Sequence, residues 1–443
     1  MRGKSRKTSG FLIYGTEKIR FYASIDHRNL ILSTPPNNFM LKTLKNLVRH
    51  RLRRHPHLRY WVKTTQKRWK DRDRAERYCQ ESLICLEPDG GWNRSFVKTE
   101  IPVGSNIEIT NACNLNCLMC NTKLQERPNR LMKPEVFERI ILELQATDIT
   151  TAGLHTVGET FVYKDLEVLL DIAQHHNFRV WISTNAQFPE RIKEVYTRFP
   201  KMLNDIRISV DGATVKTFEH IRVGGSFEKV IESFEVIHNL NEGKMNFKIG
   251  VTLDSILNTD TMYEIPAYFE KFGKYMAMED INFWAVNGLS PDNAYFKETF
   301  PYPDLIRSEV PCHLPFQSQY FTYDGKATLC CRDYNAEIVV GDIMKSSVKE
   351  IWDGEEAEKV REQHRNPESL TIKACQNCFG PHQFVGTVTN NFIHYLHLKK
   401  PRLSSKEFGD NVAGLLKGMD HAMANNNSSS LKTFVVDTFD AFK

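Results

Sequence analysis

The sequence predicts an α/β chain: a partial (β/α)6 barrel, preceded by a basic, largely helical extension and followed by a small cysteine-bearing module. Three observations predict it. Short apolar strands alternate with amphipathic helical stretches from residue 105 to about 300. Five cysteines gather between residues 312 and 378, where that alternation has stopped. Positive charge is concentrated at the start: residues 1–80 hold 21 Lys and Arg against 5 Asp and Glu, whereas the remaining 363 hold 38 against 49. The predicted organisation is residues 1–95, 96–300, 301–390 and a tail over 391–443.

Residues 36–50 and 56–86 read as helices, the second with Leu58, Val62 and Trp69 on one face and Arg and Lys around them. "LEPDGGWNRS" breaks that pattern and marks a boundary near residues 88–95. The strands follow as "NIEIT", "TAGLHTV", "RVWIST", "DIRISV", "FKIGVTL" and "INFWAV". Helices between them are "KPEVFERIILELQ", "KDLEVLLDIAQHH", "PERIKEVYTRF" and "GSFEKVIESFEVIHNL", the last repeating Phe227, Val230, Ile231, Phe234 and Ile237 at helical spacing. Six such units fall short of the eight of a closed barrel, so the expected form is an open, TIM-like one, with function at the C-terminal strand ends. The tail carries a polar run, "MANNNSSSLK", expected to be flexible, then an amphipathic helix with Leu431, Phe434, Val435, Phe439 and Phe442 that docks on the body.

A basic head on an acidic body suits an acidic partner, whether nucleic acid, anionic lipid or acidic peptide; a solvated charged face reads equally well. No stretch reaches the roughly 20 apolar residues of a membrane span, and the start lacks an export signal, so a cytoplasmic protein is expected. Clustered thiols in a reducing compartment point to metal and not to disulfides.

"NACNLNCLMCNTK" places Cys113, Cys117 and Cys120 within eight residues, directly after the first strand. Thiolates suit zinc or an iron–sulfur cluster, and three ligands leave a fourth position open on either. "CNLNCLMC" after a strand resembles the cluster loop of radical S-adenosylmethionine (radical SAM) enzymes. The resemblance covers roughly residues 105–390. It implies a [4Fe–4S] cluster on these three cysteines, with SAM chelating the open iron. "TVGET" resembles the family's Gly-Gly-Glu-Pro segment through Gly158 and Glu159, departing from it at Val157 and Thr160. The resemblance assigns Glu159 to the methionyl ammonium, Asn185 of "STNAQ" to the SAM neighbourhood, and Ser209 of "RISVDG" to its ribose or carboxylate. It further assigns Arg222 of "HIRVGGSF" to the SAM carboxylate, and Val251, after Gly250, to the flank of the adenine.

Cys312, Cys330, Cys375 and Cys378, spaced Cys-x17-Cys-x44-Cys-x2-Cys, resemble the SPASM module in its shortened "twitch" form. This implies one auxiliary [4Fe–4S] cluster with no vacant iron; a structural zinc ribbon would use the same four thiolates. Cys331 adjoins Cys330 and competes with it as ligand, and alternation along a strand would let only one of them reach the metal. The "YDGKATLC" stretch reads as a hairpin with Asp-Gly at its turn.

The resemblance implies reductive cleavage of SAM and hydrogen abstraction from a substrate carbon, with an electron donor such as flavodoxin or ferredoxin. The substrate reading favoured is a peptide or protein; a small hydroxylated molecule, aminocyclitol or sugar, is second, and nucleic acid third. A non-catalytic zinc- or cluster-bearing binding protein is the alternative of another class. Tyr163, His155, Trp284 and Asn287 lie near strand ends as substrate-facing candidates, and no general acid or base stands out.

Overall fold

The computed structural model describes residues 23–26, 29–32, 71, 73–84, 86, 97–242, 249–285, 293–299, 312–366, 369–376, 378, 384–424 and 428–442. The expected helix over 36–50, residues 56–70 of the second helix, the boundary at 88–95 and Asn287 lie outside these residues. The chain divides into Met1–Arg72 and Asp73–Lys443. In the first, β1 (Ala23–Asp26) pairs antiparallel with β2 (Asn29–Leu32).

The second unit is built on one nine-stranded sheet, ordered β11-β10-β9-β3-β4-β5-β6-β7-β8. Its six predicted strands are β3 (Gly104–Ile107), β4 (Thr151–Leu154), β5 (Arg179–Thr184), β6 (Leu203–Ser209), β7 (Gly250–Leu257) and β8 (Ile281–Ala285), all parallel. Between them run α1 (Pro134–Gln145), α2 (Leu166–His175), α3 (Pro189–Arg198), α4 (Val215–Ile221), α5 (Phe227–Glu242) and α6 (Ile265–Phe272). Proline at the start of α1, α3 and α6 opens each where a backbone N–H would have no partner.

Alternation along the strands sorts their side chains. Val180, Ile182, Ile206, Ile208, Leu253, Ile281 and Phe283 are fully buried beneath helix residues such as Phe137, Ile140, Leu169, Ile192, Phe234 and Phe269. Each such side chain contributes about 1.5–3 kcal/mol, which makes this outer layer the core. The alternate positions, Trp181, Asp205, Arg207, Thr252, Asp254, Asn282 and Trp284, line the concave face.

The cysteine-bearing module is joined to the barrel as strands of the same sheet. After α7 (Ala294–Thr299) and the short α8 (Leu314–Gln317), β9 (Ser318–Phe321) pairs parallel with β3 from Gly104↔Ser318 to Ile107↔Phe321. The expected hairpin is present: β9 turns at Gly325 (φ +82°) into β10 (Lys326–Thr328), which pairs antiparallel with β11 (Val339–Asp342). Beyond it lie α9 (Val348–Asp353), α10 (Glu355–Arg365) and α11 (Lys373–Gln376). Arg361 is fully buried and donates to the carbonyls of Pro315 and Trp352 at 2.8 Å each, while the Trp352 indole N–H donates to the Thr99 carbonyl at 2.9 Å.

The tail holds more structure than the sequence suggests. Helices α12 (Phe384–Lys399), α13 (Ser405–Ala424) and α14 (Ser428–Asp440) occupy it; within the polar run, only residues 425–427 lie outside the description. Asn390 on α12 bonds both backbone groups of Phe283 on the edge strand β8, accepting at 2.8 Å and donating at 2.9 Å. Helix α13 lies on α6, with the rings of Phe408 and Phe269 5.0 Å apart. The predicted terminal helix is α14, docked through buried Leu431, Val435 and Phe439. Residues 73–84 are helical and meet α12 through a stack of Tyr78 on His394 at 5.1 Å.

Candidate active site

The cysteine triplet sits on a loop without regular structure at the C-terminal edge of the sheet, so its shape must come from neighbours. Three backbone bonds hold it, two to the end of α4 and one to the β4 loop: Asn116 N–H to Val223 O (2.9 Å), Leu118 N–H to Ile221 O (2.9 Å) and Glu159 N–H to Ala112 O (2.9 Å). Asn185, just past β5, donates its amide to Asn114 Oδ1 at 2.9 Å and lies 3.9 Å from Cys113 Sγ. Cys120 caps a 3-10 turn over Asn121–Leu124, its sulfur 3.4 Å from the Thr122 N–H. Gly158 has φ +83°, and a Cβ there would meet the Thr110 and Ala112 carbonyl oxygens at 2.5 and 2.8 Å. Only glycine lets the β4 loop close onto the cysteine loop.

Glu159 is buried, and its oxygens accept from Thr184 Oγ1 (2.7 Å), Asn185 N–H (2.7 Å) and Phe161 N–H (3.1 Å). A carboxylate offers about four acceptor positions, so the structure commits most of this one to shaping the β4 and β5 ends. Burial pushes its pKa up, against the lowering effect of those three donors. Arg222 is held on Asp211 at 2.6 and 2.8 Å, and Asp211 accepts from Ile256 N–H at 2.8 Å. The guanidinium stands in the field of Cys117 and Cys120.

Gly158, Glu159, Asn185, Ser209 and Arg222 thus gather at the edge that carries the triplet. Val251 does not. It is the second residue of β7, level with Ile206, and shares the helix-covered face with Leu253. The β7 residue at the cysteine edge is Ile256, opposite Trp284. Tyr163 is also turned away: its hydroxyl is buried and donates to the Met132 carbonyl at 2.6 Å.

Below the edge the concave face is polar, whereas an ordinary barrel interior is filled with branched apolar side chains. Arg207 lies over the Trp181 ring at 4.2 Å and 3.4 Å from Asp205. Asp254 accepts from the Trp284 indole at 2.8 Å and from Asn282 at 3.4 Å; burial raises its pKa. His155 stands beyond β4, and burial, helped by Arg207 and Arg222, pushes its pKa down to about 4. Asp205, Arg207 and Asp254 were missed in the sequence, although polar residues at every second position of "DIRIS" signal a wet strand face.

The second group meets near the β10 end. Burial raises Cys312 to about 12 and raises Cys330 and Cys375 above the usual thiol range. Cys378 adds to the rise at all three, and the Arg332 guanidinium stands among Cys312, Cys330, Cys331 and Cys378. Cys330 and Cys331 lie past β10, so strand alternation does not separate them. They differ in partner: Cys330 Sγ faces the Arg332 N–H at 3.4 Å, whereas Cys331 is bonded to the Tyr320 hydroxyl. Among the described residues, no three His, Cys, Asp or Glu side chains converge as for a single metal ion.

The triplet behaves similarly: burial lifts Cys117 to about 12 and lifts Cys113, with Cys120 adding to both. Buried sulfurs that disfavour one another's ionisation, each group beside a guanidinium, suit a positively charged iron–sulfur core.

Comparison with known proteins agrees. The family model of the radical SAM superfamily matches residues 107–259, and that of an iron–sulfur cluster-binding domain, SPASM, matches residues 312–379. Mycofactocin maturase MftC of Mycolicibacterium smegmatis is 28% identical over 176 residues, 39% of this chain and 43% of that protein. A probable GTP 3',8-cyclase of Pyrococcus abyssi is 25% identical over 201 residues, 44% of this chain and 61% of that one. The crystal structure of Streptococcus suis SuiB bound to precursor peptide SuiA aligns at 14% identity with a TM-score of 0.47, covering 73% of this chain and 79% of that one. The chain spans less than half the length of the curated maturases it matches. The cofactors that these domains imply are a [4Fe–4S] cluster, SAM and an auxiliary iron–sulfur cluster. The chain thus carries a radical SAM domain and, C-terminal to it, a SPASM domain.

Proposed function

We propose that Cys113, Cys117 and Cys120 hold the SAM-binding cluster, that Cys312, Cys330, Cys375 and Cys378 hold the auxiliary one, and that the substrate is a peptide or protein. The observation that carries this reading is the triplet's position: one loop, fastened at the C-terminal sheet edge, with Asn185, Glu159 and Arg222 around it. When bound, the cluster and SAM supply a 5′-deoxyadenosyl radical that can take hydrogen from a substrate carbon.

The chain's own residues arrange the encounter. Glu159 and Asn185 fix the β4 and β5 ends, and the pair Asp211–Arg222 fixes the β6 and β7 ends. Arg222 offers its remaining N–H groups to the carboxylate of SAM. His155, held neutral, and Asp254 stand below as acceptors for substrate N–H or O–H groups. Walls of this kind keep water from a reactive centre. A flavodoxin or ferredoxin is the electron source, and the basic head is the place for an acidic partner, such as a leader peptide.

The match to a maturase supports the peptide reading. A small hydroxylated substrate is the second reading, favoured by the polar concave face with Asp205, Arg207, Asp254 and Asn282. The test is mass-spectrometric detection of 5′-deoxyadenosine after anaerobic reconstitution with iron and sulfide, then dithionite and SAM. Product is expected from the parent and not from the triple variant Cys113→Ala/Cys117→Ala/Cys120→Ala. A chain that takes up zinc, no iron, and gives no product would overturn the reading.

A further inference from the structure

The two cysteine groups are joined by a continuous set of hydrogen bonds, most of them partly buried. It begins at the auxiliary loop, where Cys330 is followed by Cys331, Arg332, Asp333, Tyr334 and Asn335. Asp333 ties this loop by accepting from Glu337 and Ile338 N–H groups at 2.9 and 2.7 Å. From its tip, Asn335 Oδ1 accepts from Glu126 N–H at 2.8 Å, and the Tyr334 carbonyl accepts from Arg127 Nε at 2.9 Å. Arg127 then forks onto Glu108, with both bonds at 2.8 Å. Glu108 is 2% exposed and also accepts from Thr156 Oγ1 at 3.1 Å.

The segment after Arg127 carries the connection to the triplet. It runs back along residues 109–112, bridging Thr110 to Leu131, with Met132 N–H on the Ile109 carbonyl at 2.8 Å. Asn111 is fully buried and stitches the two together: it donates to Gln125 Oε1 (3.0 Å) and the Pro128 carbonyl (3.1 Å) and accepts from Arg130 N–H (2.9 Å). Two residues later comes Cys113.

We infer that Glu108, Arg127 and Asn335 are positioning residues that make the geometry of the triplet loop depend on the seating of the auxiliary loop. This rests on the ligand assignment proposed above. A buried guanidinium–carboxylate fork tolerates little displacement, because breaking it strands a buried charge. A shift of residues 330–335 is therefore passed to residues 125–130 and to Asn111, and not absorbed.

The test uses the full chain, reconstituted and reduced, with the electron paramagnetic resonance signal of the first cluster read before and after SAM is added. In Asn335→Ala, and in Arg127→Met/Glu108→Gln, which removes both charges together, the SAM-induced change should fall several-fold although the iron content is that of the parent. Arg127→Lys should keep part of it. Cys375→Ala/Cys378→Ala, far along the chain from the triplet, should lose it as well. A change equal to the parent's in Asn335→Ala and in the Cys375/Cys378 variant would overturn the inference. If the charge-removed variant fails to hold iron, those two decide. Iron retained in full by the triple triplet variant would instead sink the ligand assignment, a separate failure.

Discussion

Glu159 stands at the triplet's edge of the sheet with its carboxylate already engaged. Its position at the edge agrees with its motif, but three donors already claim it. Glu159→Gln keeps the shape and turns an N–H2 group toward at least one of those donors. The expected loss is about 1–3 kcal/mol, the penalty of an unmade buried hydrogen bond, read by denaturant unfolding of the apoprotein. His155 gives a pH signature. Its folded pKa of about 4 lies below the usual histidine value of about 6.5. Between those values the unfolded chain binds the proton and the folded chain does not, so stability falls as pH drops from about 6.5 toward 4. Above that window His155 contributes nothing to the slope. His155→Gln should flatten the dependence of Tm on pH across it; an unchanged slope would mean the ring is free to protonate where it stands.

Among the elements, the β4 loop and the edge strand β8 depend on single contacts. Gly158→Ala forces a side chain into φ +83° and against two carbonyl oxygens. Strain of this kind costs about 1–3 kcal/mol, and here it falls on the loop that carries the triplet. The variant should therefore take up about half the parent's iron, four atoms in place of about eight, keeping the auxiliary share. At β8, Asn390→Ala leaves the Phe283 N–H and carbonyl without their partner. Two unpaired buried backbone groups cost about 2–6 kcal/mol, expected as a lowered Tm with the remaining sheet intact. Both contacts lay beyond the reach of sequence reading. Strand and helix positions are local, and "RVWIST" or "GSFEKVIESFEVIHNL" declare them by period alone. Which loop closes on Gly158, or which helix covers β8, depends on residues over a hundred positions apart in the second case.

For the whole molecule, the same distinction separates what the sequence tells from what it conceals. The order of six strands, the triplet after the first and the Asp-Gly hairpin are all short-range patterns. "FKIGVTL" shows a strand without showing where it stops: β7 continues to Leu257, so Val251 lies near its start and Ile256 at its C-terminal end. The tail was undervalued because its polar run hides the helices around it. The boundary near residue 300 has a different standing. Composition changes there, yet β9 lies beside β3 over four residues in fixed register. The two cysteine-bearing regions therefore share a sheet and its core, and neither ends where the other begins. For protein engineering this means that the auxiliary module is not a cassette. A module exchanged from a relative would have to present Ser318–Phe321 in the same register to Gly104–Ile107, since a slip of one residue turns every side chain of that strand to the opposite face. Functional chimaeras are thus expected only when the crossover moves β3 and β9 together.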